Sequence, residues 1–143
     1  MKFLYVDRGR CTGCRTCEAA CAMAKEGVLN RGKSRIRVHR LDVLRSETVV
    51  CLQCARPRCL EACRTGAITR EGAQVRVRAD LCNGCGACVQ ACSRLFLAPD
   101  GARVLMCDQC GACVPRCPED ALRIATPEEL RAGRRRNQAV DAA

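Results

Sequence analysis

Apolar residues in this chain come in short runs, each soon interrupted by charge, glycine or cysteine. Phe3–Val6 reads as one strand. Ala67-Ile68-Thr69, a turn at Glu71-Gly72, and Gln74–Val77 read as a hairpin. A second hairpin is predicted from Leu95-Phe96-Leu97, a Pro99-Asp100-Gly101 turn and Arg103-Val104-Leu105. Leu122-Arg123-Ile124 reads as a closing strand. Arg35–Arg40 largely alternates and suits a half-buried strand, with His39, the one histidine, at a solvated position. The residues after each third cysteine of a repeated motif, such as Val89-Gln90-Ala91, are predicted to begin short helices. The fold class expected is α+β, with short elements throughout. No apolar stretch reaches the length of a transmembrane helix, so no membrane span is expected.

Composition changes this picture in one respect. The chain has 143 residues, enough for one domain or two very small lobes. Sixteen of them are cysteine. Without these, the hydrophobic share falls from 48% to about 37%, below the ordinary apolar fraction. Phe3, Tyr5 and Phe96 are the aromatic residues. Such a chain lacks the usual apolar means of holding itself together, and bound inorganic material would supply folding free energy instead. The opening Met1–Arg8 has too short an apolar run for a signal peptide, so a cytoplasmic location is expected. Disulfides are disfavoured there, which leaves metal as the leading use for the cysteines.

The cysteines fall into four repeats: Cys11-x2-Cys14-x2-Cys17-x3-Cys21, Cys51-x2-Cys54-x4-Cys59-x3-Cys63, Cys82-x2-Cys85-x2-Cys88-x3-Cys92 and Cys107-x2-Cys110-x2-Cys113-x3-Cys117, the last followed by Pro118. Three cysteines two residues apart can wrap a tight loop around three corners of a cubane cluster, with loop amides aimed at the sulfides. Three further residues lead into a helix and turn the fourth cysteine toward a neighbouring cluster, the established behaviour of the bacterial C-x2-C-x2-C-x3-C-P run. Gly13, Gly84, Gly86 and Gly111 lie inside these loops. The second repeat departs from the pattern, because Ala-Arg-Pro-Arg at 55–58 widens its middle gap.

All-cysteine zinc sites and a disulfide scaffold are the rival readings. A zinc ribbon needs two CxxC pairs but not a third cysteine in phase and a fourth at x3. The formal charge of +10 resembles that of a nucleic-acid binder. A metal-bound thiol is deprotonated, however. Sixteen thiolates, offset by four oxidised cores of about +2 each, bring the net charge to about +2. The scarcity of aromatic residues also argues against stacking on bases, so no nucleic-acid partner is expected.

The blocks Cys-Thr-Gly-Cys-Arg-Thr-Cys-Glu-Ala-Ala-Cys (11–21), Ser-Arg-Ile-Arg-Val (34–38) and Cys-x2-Cys-x2-Pro-x-Cys (51–59) resemble the four-cluster, ferredoxin-like electron-transfer subunits of large oxidoreductases. The resemblance covers about residues 3–126. It implies two ferredoxin-like 2[4Fe–4S] lobes within a domain at 1–126. The inner lobe would span about 49–95, the outer lobe 1–48 plus 96–126, and a charged tail 127–143. It also implies that the first motif pairs with the fourth and the second with the third. Eighteen residues between Cys63 and Cys82, a usual gap for a two-cluster unit, agree with this. One cluster would take Cys11, Cys14, Cys17 and Cys117, and its partner Cys107, Cys110, Cys113 and Cys21. A third would take Cys51, Cys54, Cys59 and Cys92, and a fourth Cys82, Cys85, Cys88 and Cys63.

No nucleophile, acid–base pair or open metal position is apparent, so no catalytic residue is expected. The resemblance implies a non-catalytic relay of single electrons between a large catalytic subunit and a second donor or acceptor protein. Against that family, the short stretch between the third and fourth motifs and the compact fourth motif favour a tungsten or molybdenum pterin aldehyde oxidoreductase partner. A free-standing polyferredoxin, or a subunit serving hydrogenase, carbon monoxide dehydrogenase or formate dehydrogenase, is the alternative, and a zinc-based interaction module a distant one. Higher-order assembly is compatible with the resemblance. The fourteen-residue linker between Cys92 and Cys107 suggests that the third and fourth clusters adjoin, which gives a path running first, fourth, third, second. Arg56 and Arg58 are expected to raise the potential of the second motif's cluster. The charged tail reads either as a frayed end or as a docking segment.

Overall fold

The computed structural model describes residues 2–142. Its strands form four two-stranded antiparallel sheets. β1 (Phe3–Val6) pairs with β8 (Leu122–Ala125), so the two ends of the domain close on each other. β2 (Ile36–Arg40) pairs with β3 (Ser46–Val50), β4 (Ile68–Glu71) with β5 (Gln74–Val77), and β6 (Phe96–Leu97) with β7 (Val104–Leu105). The strands lie where the apolar runs predict them. β3 is an addition, because Ser46, Glu47 and Thr48 break up its apolar pattern. His39 is exposed on β2, opposite Glu47.

Three helices begin beside third cysteines: α1 (Thr16–Glu26), α2 (Arg58–Ala62) and α3 (Ala87–Ala91). The fourth motif has only a 3₁₀ turn, Val114–Arg116, in place of the expected helix. Pro118 lies two residues beyond its end, past Cys117, and cannot continue a helical hydrogen-bond ladder. α1 is longer than predicted because Glu18–Glu26 is rich in strong helix formers. It stops at Gly27, whose N–H donates to the Met23 carbonyl at 3.0 Å. The buried Glu18 on α1 accepts from the Val38 N–H at 2.7 Å and so fastens the helix to β2. Glu26 binds both Arg35 and Arg103. Burial alone would raise its carboxyl pKa, but Arg35 and then Arg103 hold it below the ordinary value.

The main core joins Leu4, Ile36, Val50, Ile68, Val75, Leu95 and Val104 to buried cysteines of all four motifs. A smaller cluster of Tyr5, Ala125 and Leu130 sits beside it.

The segment read as a charged tail is a sixteen-residue helix, α4 (Pro127–Ala142), which packs on β1 and is therefore not a frayed end. Its start is a capping box. Thr126 Oγ1 accepts from the Glu129 N–H at 3.3 Å, and Glu129 accepts in return from the Thr126 N–H at 2.8 Å. Pro127 occupies the first helical position, where no N–H is needed. Buried Tyr5 donates to the Gly133 carbonyl at 3.0 Å, and Asn137 donates to the Val6 carbonyl at 2.7 Å. A Cβ on Gly133 would stand 2.3 Å from the Tyr5 ring. Helix propensity alone would make Gly133→Ala stabilising by about 1 kcal/mol. The clash with the buried ring outweighs this, so the variant should be less stable by about 1–3 kcal/mol. A thermal melt at or above the wild-type midpoint would contradict that sign.

Candidate functional site

The four cysteine loops share a backbone signature. The residue two after each first cysteine has positive φ: Gly13 at 74°, Gln53 at 50°, Gly84 at 71° and Gln109 at 63°. This left-handed residue reverses the chain so that the loop can encircle a compact object. At Gly84 a side chain is excluded for a second reason, since a Cβ would lie 1.9 Å from the Gly101 carbonyl oxygen.

The structure brings the thiols together across motifs. Cys11, Cys14, Cys17 and Cys117 line one cavity, and Cys21, Cys107, Cys110 and Cys113 line another. Around Cys51 stand Cys54, Cys59 and Cys92. Around Cys88 stand Cys63 and Cys82, with Cys85 exposed on the same loop. α1 thus carries two thiols one turn apart that face different cavities. Cys14, Cys54, Cys85 and Cys110, the second cysteine of each motif, are exposed.

Main-chain N–H groups point at the sulfurs. Gln53 donates to Cys51 Sγ, Ile68 to Cys63, Val104 to Cys82 and Gln109 to Cys107, each at 3.4 Å. Arg35 donates to Cys21 and Ala121 to Cys117, each at 3.3 Å. The Thr48 hydroxyl lies 3.3 Å from Cys11 Sγ. Such donors stabilise negative sulfur and orient it.

Burial pushes the deepest thiols the other way. Cys17, Cys107 and Cys113 are driven up to about 12, and Cys51 and Cys59 to about 11. Desolvation is the largest cause in each, and neighbouring thiols add to it. A sulfur placed there becomes a thiolate at neutral pH only with positive charge beside it, which ligated iron supplies. Soft donors in sets around a cavity, each reached by N–H groups, fit an iron–sulfur core.

Two features were not legible in the motif spacing. The linker length speaks only for the third and fourth motifs, and the structure adds direct side-chain bridges between the second and fourth. Gln53 Nε2 donates to the Cys107 carbonyl at 3.2 Å, and Gln109 Nε2 donates to the Cys51 carbonyl at 2.8 Å. A short linker limits distance but does not choose which faces meet. The widened second loop is held by Arg70, which donates to the carbonyls of Cys54 at 3.2 Å and Ala55 at 2.7 Å. Arg56 and Arg58 are exposed, where solvent and salt screen their charge.

Comparison with known proteins agrees with this chemistry. A 4Fe-4S binding domain matches residues 75–93 and 105–123, and a second type of 4Fe-4S binding domain matches residues 8–24. The widened second motif lies outside these matches. The chain is 38% identical over 93 residues to the aliphatic sulfonate oxidoreductase, polyferredoxin-like subunit, of Pyrococcus furiosus, covering 63% of this chain and 53% of that protein. It is 35% identical over 97 residues to the electron transport protein HydN of Escherichia coli, covering 64% of this chain and 55% of that one. The chain thus spans about half the length of these curated relatives. In fold it is similar to a chain of the active site complex BamBC of benzoyl coenzyme A reductase in complex with benzoyl-CoA. That match has a TM-score of 0.51 at 24% identity and covers 93% of this chain and 86% of that one. Among the described residues no helix is long and apolar enough to cross a membrane. The chain thus carries 4Fe-4S binding domains on a ferredoxin-like α+β fold.

Proposed function

We propose that this chain is a non-catalytic electron-transfer subunit that holds four [4Fe–4S] clusters. The ligand sets are Cys11, Cys14, Cys17 and Cys117; Cys21, Cys107, Cys110 and Cys113; Cys51, Cys54, Cys59 and Cys92; and Cys63, Cys82, Cys85 and Cys88. When bound, each cluster supplies one-electron redox chemistry. Every iron would then be ligated by cysteine, leaving no position for a substrate. The main-chain donors to Cys21, Cys51, Cys63, Cys82, Cys107 and Cys117 would steady the thiolates and favour the reduced state.

The observation that carries this reading is the gathering of thiols from paired motifs, first with fourth around two cavities and second with third beside one another. On it, residues 49–95 form an inner lobe and residues 1–48 with 96–126 an outer one, with α4 braced against the outer lobe. The Gln53 and Gln109 bridges favour a path that runs first, fourth, second, third.

A large catalytic oxidoreductase subunit is the fitting partner, and a second redox protein the other. The relatives support this, since one is named an oxidoreductase subunit and another an electron transport protein. The short stretch between the third and fourth motifs and the compact fourth motif favour a tungsten or molybdenum pterin enzyme. A cytoplasmic setting would keep the cysteines reduced for iron. Anaerobic purification should yield about sixteen iron and sixteen acid-labile sulfide per chain. A folded protein loaded with zinc and free of labile sulfide would overturn the proposal.

A further inference from the structure

The loop position two after each first cysteine demands positive φ, which glycine adopts freely and other residues resist. The first and third motifs meet the demand with Gly13 and Gly84. The second and fourth carry Gln53 and Gln109 instead, in the same backbone state. What these two gain is a reciprocal contact. Gln53 donates through its main-chain N–H to Cys51 Sγ, and through its side chain to the Cys107 carbonyl. Gln109 donates through its main-chain N–H to Cys107 Sγ, and through its side chain to the Cys51 carbonyl. Each first cysteine is therefore touched by both glutamines. Each amide also binds its own half of the molecule. Gln53 exchanges hydrogen bonds with both the N–H and the carbonyl of Val75 on β5, and Gln109 accepts from the Leu4 N–H on β1. Gln53 is buried, so its amide has no water to fall back on.

We propose that Gln53 and Gln109 are positioning residues that clamp the two redox lobes together at the carbonyls of Cys51 and Cys107 and tune the centres on either side as a pair. The proposal rests on the iron–sulfur reading above. The side-chain N–H dipoles end on the backbones of ligand cysteines, where added electron density on a reduced centre is stabilised by a nearby donor. Removing them should lower both potentials and loosen the separation between the centres.

Glycine at these positions relieves the backbone and keeps the main-chain donors, so the variants Gln53→Gly and Gln109→Gly should retain their iron. Anaerobically prepared holoprotein is first assayed for iron and labile sulfide, and a wild-type chain without them overturns this proposal together with the iron–sulfur reading. Redox titration followed by paramagnetic resonance then reads the centres, with signals assigned through Cys54→Ser and Cys110→Ser. The double variant should shift the potentials of those two centres downward and lose the spin–spin broadening between them. The other centres should stay as they are, and each single variant should shift the same pair partway. Potentials and broadening like the wild type's would overturn the proposal, and so would an equal shift at every centre. If the double variant fails to hold iron, the single variants decide by the same readout.

Discussion

Chelating the iron from anaerobically prepared protein is expected to unfold the chain, with visible absorbance and tertiary circular dichroism lost in one transition. The reason lies in what the core is made of. Cys17, Cys21, Cys51, Cys59, Cys88, Cys107 and Cys113 are among the buried residues of the main cluster, and Cys63, Cys82, Cys92 and Cys117 pack against it. Without cores between them, these thiols face cavities in which every missing contact costs dispersion energy. The secondary structure offers little in reserve, since each sheet has two strands and such a ribbon is marginal alone. α2 and α3 have five residues each, well below the length at which a helix persists by itself. A domain's whole margin is about 5–15 kcal/mol, and structural metal sites can supply that much as folding free energy. A thermal transition left in place after complete iron removal would contradict this.

Two substitutions on one helix should damage different centres. Cys17 and Cys21 lie one turn apart on α1, yet Cys17 lines the cavity with Cys11, Cys14 and Cys117, while Cys21 lines the one with Cys107, Cys110 and Cys113. Cys21→Ser is expected to remove or convert the same paramagnetic signal as Cys110→Ser. Cys17→Ser should instead act on the signal that Cys117→Ser affects. The loss at the affected centre should be near complete, because serine oxygen is a poor substitute for a soft thiolate. Cys17→Ser and Cys21→Ser losing one common signal would rule out the exchange of fourth cysteines between motifs.

The cysteine spacing and the short apolar runs carried the chemistry and most of the strands. Loop geometry around a cubane depends on near neighbours in the chain, and a strand such as Phe3–Val6 declares itself by local pattern. The N-terminal signature of α4 was equally local: Thr126-Pro127-Glu128-Glu129 has the form of a capping box with proline at the first helical position. The arginine-rich composition of that segment pointed elsewhere, toward a solvated tail. In the same way the glutamines of the second and fourth loops stand in line with the glycines of the other two when the repeats are aligned.

What no local pattern contained was the choice of partners. β1 meets β8 across nearly the whole chain, and Gly133 is left bare for the Tyr5 ring. Gln53 and Gln109 reach across to each other's cysteine, and Arg70 closes a loop that Arg56 and Arg58 only border. These contacts join residues far apart in sequence, and they depend on which faces pack once the chain closes around its thiols. The amino-acid order by itself determined which thiols and loops this protein offers; the tertiary structure decided which distant segments come together around them, because hydrogen bonds and steric fit between distant segments exist only after folding.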